Sequence, residues 1–262
     1  MRVEAPSALH VFDRIACGID GTPESLEAAR QAERLRSPEG VLRLATVTEV
    51  KTAVHAGWAM NHVMDQLDAS ARAGLERAIG EIPTASSHLV SGDALPSLLD
   101  EITQVDATLV AVGPHGHSRA VGMLLGGVAT GLLHDAPRSV LLARKPQFGE
   151  FPASIVAGVD GSEHSLVAAT VAKSIADRFG SELLVVAATG GKRVDLEPIE
   201  SFPAQYVTDP RTPVEALVDL SNEADLLVVG SRGLHGPVAL GSVSERVGHR
   251  AASSVLVVRN LS

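Results

Sequence analysis

Two stretches of the chain are copies of one another. Ile15–Arg30 (IACGIDGTPESLEAAR) and Ile155–Thr170 (IVAGVDGSEHSLVAAT) agree at eight of sixteen positions at a constant offset of 140. The match resumes between Asp106–Gly116 (DATLVAVGPHG) and Glu223–Gly233 (EADLLVVGSRG) at an offset of 117, and again between Ser139–Arg144 (SVLLAR) and Ser254–Arg259 (SVLVVR). Order is preserved throughout, so whatever fold one copy adopts, the other must adopt too. The predicted units are residues 1–146 and 153–262, joined by the Pro- and Gly-containing linker Lys145–Pro152.

The fall in offset from 140 to 117 makes the middle of copy two 23 residues shorter. In copy one that interval holds a helical pattern from about Asn61 to Gly80, with Met64, Leu67, Ala71, Leu75 and Ala78 on one face. Copy two has only a glycine pair, Gly190-Gly191, and a Pro-broken stretch to Pro203, too short for an equal helix. Copy two is therefore expected to lack one helix.

Within each copy, apolar runs of strand length alternate with longer amphipathic segments. In copy one the expected strands are about Arg14–Ile19, Val41–Val47, Ser87–Val90, Ala107–Gly113 and Ser139–Arg144. This alternation predicts an α/β fold with a parallel, doubly wound sheet. Composition agrees: 45% of residues are hydrophobic but only 3% aromatic, which suits Val- and Leu-rich strands buried under Ala-rich helices. Thr22 and Ser162 are placed to cap the first helix of each copy, and Pro23 sits where a missing N–H costs nothing.

Several function classes fall away. The formal charge of −9 and the absence of a basic run interleaved with aromatics disfavour nucleic-acid binding. A single cysteine, Cys17, inside the first strand, excludes an internal disulfide and reads as a small buried hydrophobe. Met1–His10 lacks the pattern of a signal peptide, and no apolar run approaches membrane-spanning length, so a cytoplasmic location without membrane contact is expected. There is no GxxxxGK[ST] loop, no GxGxxG after the first strand and no GxSxG elbow. His115 and His117 lack nearby acidic or thiol ligands, so no metal site is expected.

In open parallel sheets ligands bind beyond the carboxyl ends of the strands, where the strand order reverses. Two duplicated loops belong there. One follows strand one and carries Asp20 within Gly18–Gly21, repeated as Asp160 within Gly158–Gly161. The other follows strand four: Gly113-Pro114-His115-Gly116 with Gly126-Gly127, and Gly230-Ser231-Arg232-Gly233 with Gly241-Ser242. Glycines at this spacing let backbone N–H groups approach a phosphate beside a helix N-terminus, and they equally make tight strand-to-helix turns. Ser242 with Glu245 also forms a capping-box pattern, and Arg232 is either a phosphate partner or a solvated loop arginine.

These segments, GIDG and GVDG closing a first strand, G-x2-G-x9-G over Gly113–Gly126, and GSRG with GS over Gly230–Ser242, resemble the universal stress protein family in a tandem, two-domain form. The resemblance implies five strands in the order 3-2-1-4-5 and, in one branch, binding of ATP or a related adenine nucleotide with or without Mg²⁺. It places Asp20 and Asp160 near adenine and ribose, Val47 and Ala188 at the base, and Gly113, Gly116, Gly126, Gly127, Gly230, Arg232, Gly233, Gly241 and Ser242 around phosphates. Copy one departs from that branch at Gly127, where Ser or Thr is usual, and at Pro114, which removes a backbone donor. Copy two has seven residues rather than nine between Gly233 and Gly241. The function expected is an adenine-nucleotide-binding stress-response regulator; the alternative is a nucleotide-free member acting through an unidentified protein partner. Slow ATP hydrolysis ranks last, since no base or nucleophile is positioned for it. The final strands, Ser139–Arg144 and Ser254–Arg259, would each lie at an apolar sheet edge, so the copies are expected to pair there as an internal pseudo-dimer, with further homodimerisation left open.

Overall fold

The computed structural model describes residues 12–49, 60–116, 125–191, 204–231 and 243–259, with the backbone alone for 49 and 60–68. Copy one runs β1 (Phe12–Gly18), α1 (Pro23–Leu35), β2 (Arg36–Glu49), α2 (Met60–Glu81), β3 (Ser86–Gly92), α3 (Ala94–Gln104), β4 (Leu109–Val112), α4 (Gly127–Asp135) and β5 (Ser139–Leu142). Copy two runs β6 (Ser154–Gly158), α5 (Glu163–Phe179), β7 (Glu182–Ala188), β8 (Gln205–Asp209), α6 (Pro213–Leu220), β9 (Leu226–Gly230), α7 (Val243–Arg250) and β10 (Ser254–Val258). The ten strands form one sheet in the order β3-β2-β1-β4-β5-β10-β9-β6-β7-β8. Each half therefore has the expected 3-2-1-4-5 order.

Every residue of β4, β5 and β10 is buried, as parallel strands covered on both faces require. One face of the sheet carries α1, α2 and α5 through Ala28, Ala32, Leu75, Ala78, Ala168 and Ala172. The other carries α3, α4, α6 and α7 through Leu98, Leu132, Leu217 and Val247. Small alanines on α1 and α5 let those helices sit close to the strands. Both start as their sequences indicate: the Ser25 N–H donates to Thr22 Oγ1 at 3.2 Å, and the Ser165 N–H donates to Ser162 Oγ at 3.3 Å. No described residue between β7 and β8 is helical; residues 192–203 lie outside the described set.

β2 is longer than the expected Val41–Val47. It follows α1 directly at Arg36, and its pairing with β1 shifts register between Phe12 and Arg14. Gly40 sits at this irregularity because a Cβ there would lie 2.7 Å from the Asp13 carbonyl oxygen.

The copies meet where β5 and β10 pair antiparallel, Val255 opposite Leu142, Leu256 opposite Leu141 and Val257 opposite Val140. Edge strands of the separate copies thus become the centre of a continuous sheet. The duplicated arginines that end these strands cross the seam reciprocally. Arg144 Nη2 donates to the Gly248 carbonyl at 2.6 Å, and Arg259 Nη2 donates to the Leu133 carbonyl. Gly248 and Leu133 occupy the last turns of α7 and α4, so each copy supplies a cation to a helix C-terminus of the other. Burial lowers the pKa of both guanidiniums, that of Arg144 to about 10.

Candidate functional site

The strand order reverses between β1 and β4 in copy one and between β6 and β9 in copy two, and the Asp loops lie at those carboxyl ends. After β1 the Ile19 N–H still donates to the Ala45 carbonyl at 2.8 Å, and the chain then turns at Gly21, whose φ of +86° is one that glycine adopts without strain. Asp20 Oδ1 accepts from the Thr22 N–H at 3.0 Å and from Thr22 Oγ1 at 2.6 Å, while the Asp20 N–H donates to Ser25 Oγ at 3.3 Å. Copy two repeats this arrangement: Gly161 has φ +79°, Asp160 Oδ1 accepts from the Ser162 N–H (3.0 Å) and Oγ (2.5 Å), and the Asp160 N–H donates to Ser165 Oγ at 3.3 Å. One carboxylate oxygen in each copy thus organises the turn that begins the helix.

The second carboxylate oxygen of Asp20 faces the other loop. A Cβ at Gly116 would stand 2.7 Å from Asp20 Oδ2, so the absence of a side chain at Gly116 permits the approach. Gly126, the residue before α4, closes on the same place: its N–H donates to the Pro114 carbonyl at 2.8 Å, and a Cβ there would lie 3.6 Å from Gly116 N. The structure therefore brings together Asp20, Gly116, Gly126 and the N-terminus of α4 from residues about a hundred positions apart. Val47, half-buried on β2 two residues beyond Ala45, and Ala188, buried at the end of β7, occupy matching places beside the two crevices. Arg232, Gly233, Gly241 and Ser242 lie outside the described residues, as do His117 and Trp58.

Gly113 and Gly230 are required by packing. Added Cβ atoms would lie 2.9 Å from the Glu24 carbonyl carbon at Gly113, and 2.6 Å from the His164 carbonyl carbon at Gly230. The first turns of α1 and α5 press onto the ends of β4 and β9 there, leaving no room for a methyl group. Gly230→Ala should accordingly lower the unfolding free energy by about 2–3 kcal/mol, the range for overpacking against backbone. Gly127→Ala should leave it within about 0.5 kcal/mol, because a Cβ at Gly127 meets nothing within 4 Å. Urea unfolding midpoints check both; equal effects at the two positions would refute the packing argument.

Three features escaped the sequence reading. Ser25 and Ser165, both buried, connect the Asp loops to their helices, and their signal was present as one of the identities of the repeat. Gly74, in the middle of α2, lets that helix rest on the Asp loop, since a Cβ there would be 2.9 Å from Gly21 Cα. A glycine inside a helical pattern is the cue for such an approach. In copy one Asp20 is half-buried, whereas Asp160, with no counterpart of α2 among the described residues, is exposed. The third is Asp225, 1% exposed, which accepts hydrogen bonds from the N–H groups of Gln147, Phe148, Ala153 and Ser154 at 3.0–3.3 Å. It holds both ends of the linker. Cys17 is fully buried and its thiol pKa is raised by that burial. Among the described residues no three His, Cys, Asp or Glu side chains converge as a metal site, and no helix is long and apolar enough to cross a membrane.

The profile of the universal stress protein family matches residues 12–144 and 199–259. The chain belongs to the universal stress protein family. A universal stress protein of Mycobacterium tuberculosis is 31% identical over 94% of this chain and 96% of its own length. The crystal structure of a universal stress protein from Archaeoglobus fulgidus shares the fold, with a TM-score of 0.71 at 20% identity over 94% of this chain and 96% of that one. The cytoplasmic domain of a prokaryotic cation chloride cotransporter also shares it, with a TM-score of 0.55 at 11% identity over 95% of each chain. The universal stress protein fold by itself therefore does not determine what a member does. The stretch 145–198, which the profile leaves unmatched, holds β6, α5 and β7 in the topological places of β1, α1 and β2.

Proposed function

We propose that this universal stress protein binds an adenine nucleotide of the ATP type at its switch-point crevices and acts as a stress-response regulator. The observation that carries the reading is the convergence of Asp20 Oδ2, Gly116 and the start of α4 at the reversal of strand order, with the Asp loop repeated bond for bond at Asp160. In this reading Asp20 and Asp160 accept from ribose or base, and Val47 and Ala188 flank the base. Gly113, Gly116, Gly126 and Gly127 surround the phosphates in copy one. Gly230, Arg232, Gly233, Gly241 and Ser242 do so in copy two, with Mg²⁺ where the phosphates require it. The units 1–146 and 153–262 each carry one crevice.

Calorimetry with ATP, ADP, AMP and cyclic AMP, with and without Mg²⁺, tests the proposal. Saturable heat is expected with at least one of them. Gly116→Val, whose side chain would crowd Asp20 Oδ2 and fill the crevice beside it, should weaken copy-one binding about tenfold or more, the effect of losing over 1.4 kcal/mol. Absence of heat with all four at millimolar concentration refutes the reading. One observation favours the nucleotide-free alternative: the Gly126 N–H is already engaged by the Pro114 carbonyl, and Pro114 has no N–H to offer. A nucleotide retained in stoichiometric amount through purification would exclude that alternative.

A further inference from the structure

A cavity of about 470 Å³ opens at the opposite end of the sheet from the crevices, where the last turns of α1 and α5 meet the start of β2. Four guanidiniums line it: Arg30, Arg34 and Arg36 from copy one and Arg178 from copy two. Two of them are neutralised. Arg30 pairs with Glu81 at 2.7 Å and Glu27 at 3.3 Å, and Arg36 pairs with Glu33 at 2.7 Å.

The other two are not. Arg34 reaches Glu150 at 3.2 Å, but that carboxylate is 88% exposed, so the pair is screened by water. Its Nε donates to the Phe151 carbonyl at 3.1 Å, and its Nη1 has no acceptor among the described residues. Arg178 has no carboxylate partner among the described residues. It donates to the carbonyls of Leu35 at 3.2 Å and Arg36 at 2.6 Å, which covers the negative end of α1 and leaves its Nε without an acceptor there. Burial, and then repulsion from Arg34 and Arg36, holds its pKa below the usual value. The Phe179 ring fixes both guanidiniums, at 4.9 Å from Arg34 and 4.8 Å from Arg178. Ser37, on the same wall, is fully buried and its hydroxyl has no partner among the described residues.

Like charges held together with unused donors, beside an unpartnered hydroxyl, cost free energy that a multiply charged anion removes. Guanidinium forks match phosphate oxygens in geometry. A volume within the usual range for small-ligand sites has room for more than one phosphoryl group. We propose that this cavity is a second ligand site, binding a small phosphoanhydride-type anion that bridges the two copies through Arg34 and Arg178. The site is separate from the switch-point crevices and does not depend on what they bind.

Thermal unfolding and calorimetry of the full chain test it, using pyrophosphate, inorganic phosphate, and chloride at matched ionic strength. The expected order of stabilisation is pyrophosphate above phosphate, with chloride inert. Arg34→Gln, at an exposed position, and Arg178→Gln should each weaken pyrophosphate binding about tenfold. Gly116→Val should keep the full response. The proposal is overturned if no anion stabilises the protein or if chloride matches pyrophosphate. It is also overturned if the response survives both Arg34→Gln and Arg178→Gln, whether or not it disappears in Gly116→Val.

Discussion

Proline at Leu142 together with proline at Val257 should leave the protein unfolded or aggregated at room temperature. Arg144 and Arg259 donate their N–H groups across the seam to Ser254 Oγ (2.9 Å) and Ser139 Oγ (3.1 Å). Because N–H directions alternate along a strand, those of Leu142 and Val257 face the seam as well. Proline removes each donor and replaces a side chain that is at most 1% exposed. A buried hydrogen bond lost and a cavity created give about 3 kcal/mol at each site, so the pair consumes much of the roughly 5–15 kcal/mol that a folded protein has in hand. Size-exclusion chromatography and urea unfolding of the single and double variants check the expectation. Unchanged midpoints would mean that the antiparallel seam contributes nothing to stability.

Asp225→Ala should lower the unfolding free energy by about 3–5 kcal/mol and open the linker to protease. The carboxylate divides its acceptors evenly: Oδ1 takes Gln147 and Phe148 at the start of the linker, and Oδ2 takes Ala153 and Ser154 at its end. Removing it strands four donors beside a site closed to water. Asp225→Asn should be nearly as harmful, because the amide nitrogen would point a donor at two N–H groups that need an acceptor. Urea midpoints and limited proteolysis around Phe148 report the effect. Full stability in the Asn variant would show that the carboxylate does not hold the linker.

The universal stress protein architecture was legible for reasons that are local. Strand and helix periods, the Asp-Gly turn and the capping Thr22 and Ser162 each act over a few residues, and duplication printed each of them twice. The pairing of β5 with β10 followed from an argument about edges: two apolar final strands tethered by a short linker have nowhere cheaper to go than each other. The extent of β2 was misjudged at its start, because the shift between Phe12 and Arg14 is a property of pairing with β1 rather than of the strand's own composition.

The sequence by itself determined the α/β class, the two copies and the duplicated Asp20 and Asp160 loops after the first strand of each, while the strand order that puts those loops at its reversal came through the family resemblance. Only the tertiary structure decided that Gly113 and Gly230 are demanded by helix packing, that Arg144 and Arg259 cross the seam to the other copy's helix ends, and that Asp225 holds the linker. It also separated Asp20 from Asp160 in exposure, through the contact of Gly74 with Gly21. The reason is distance along the chain. Asp225 lies more than seventy positions from the amides it holds, and Arg259 lies 126 from Leu133. Periodicity within a short window carries no record of which distant carbonyl or amide a side chain will meet once the sheet has closed.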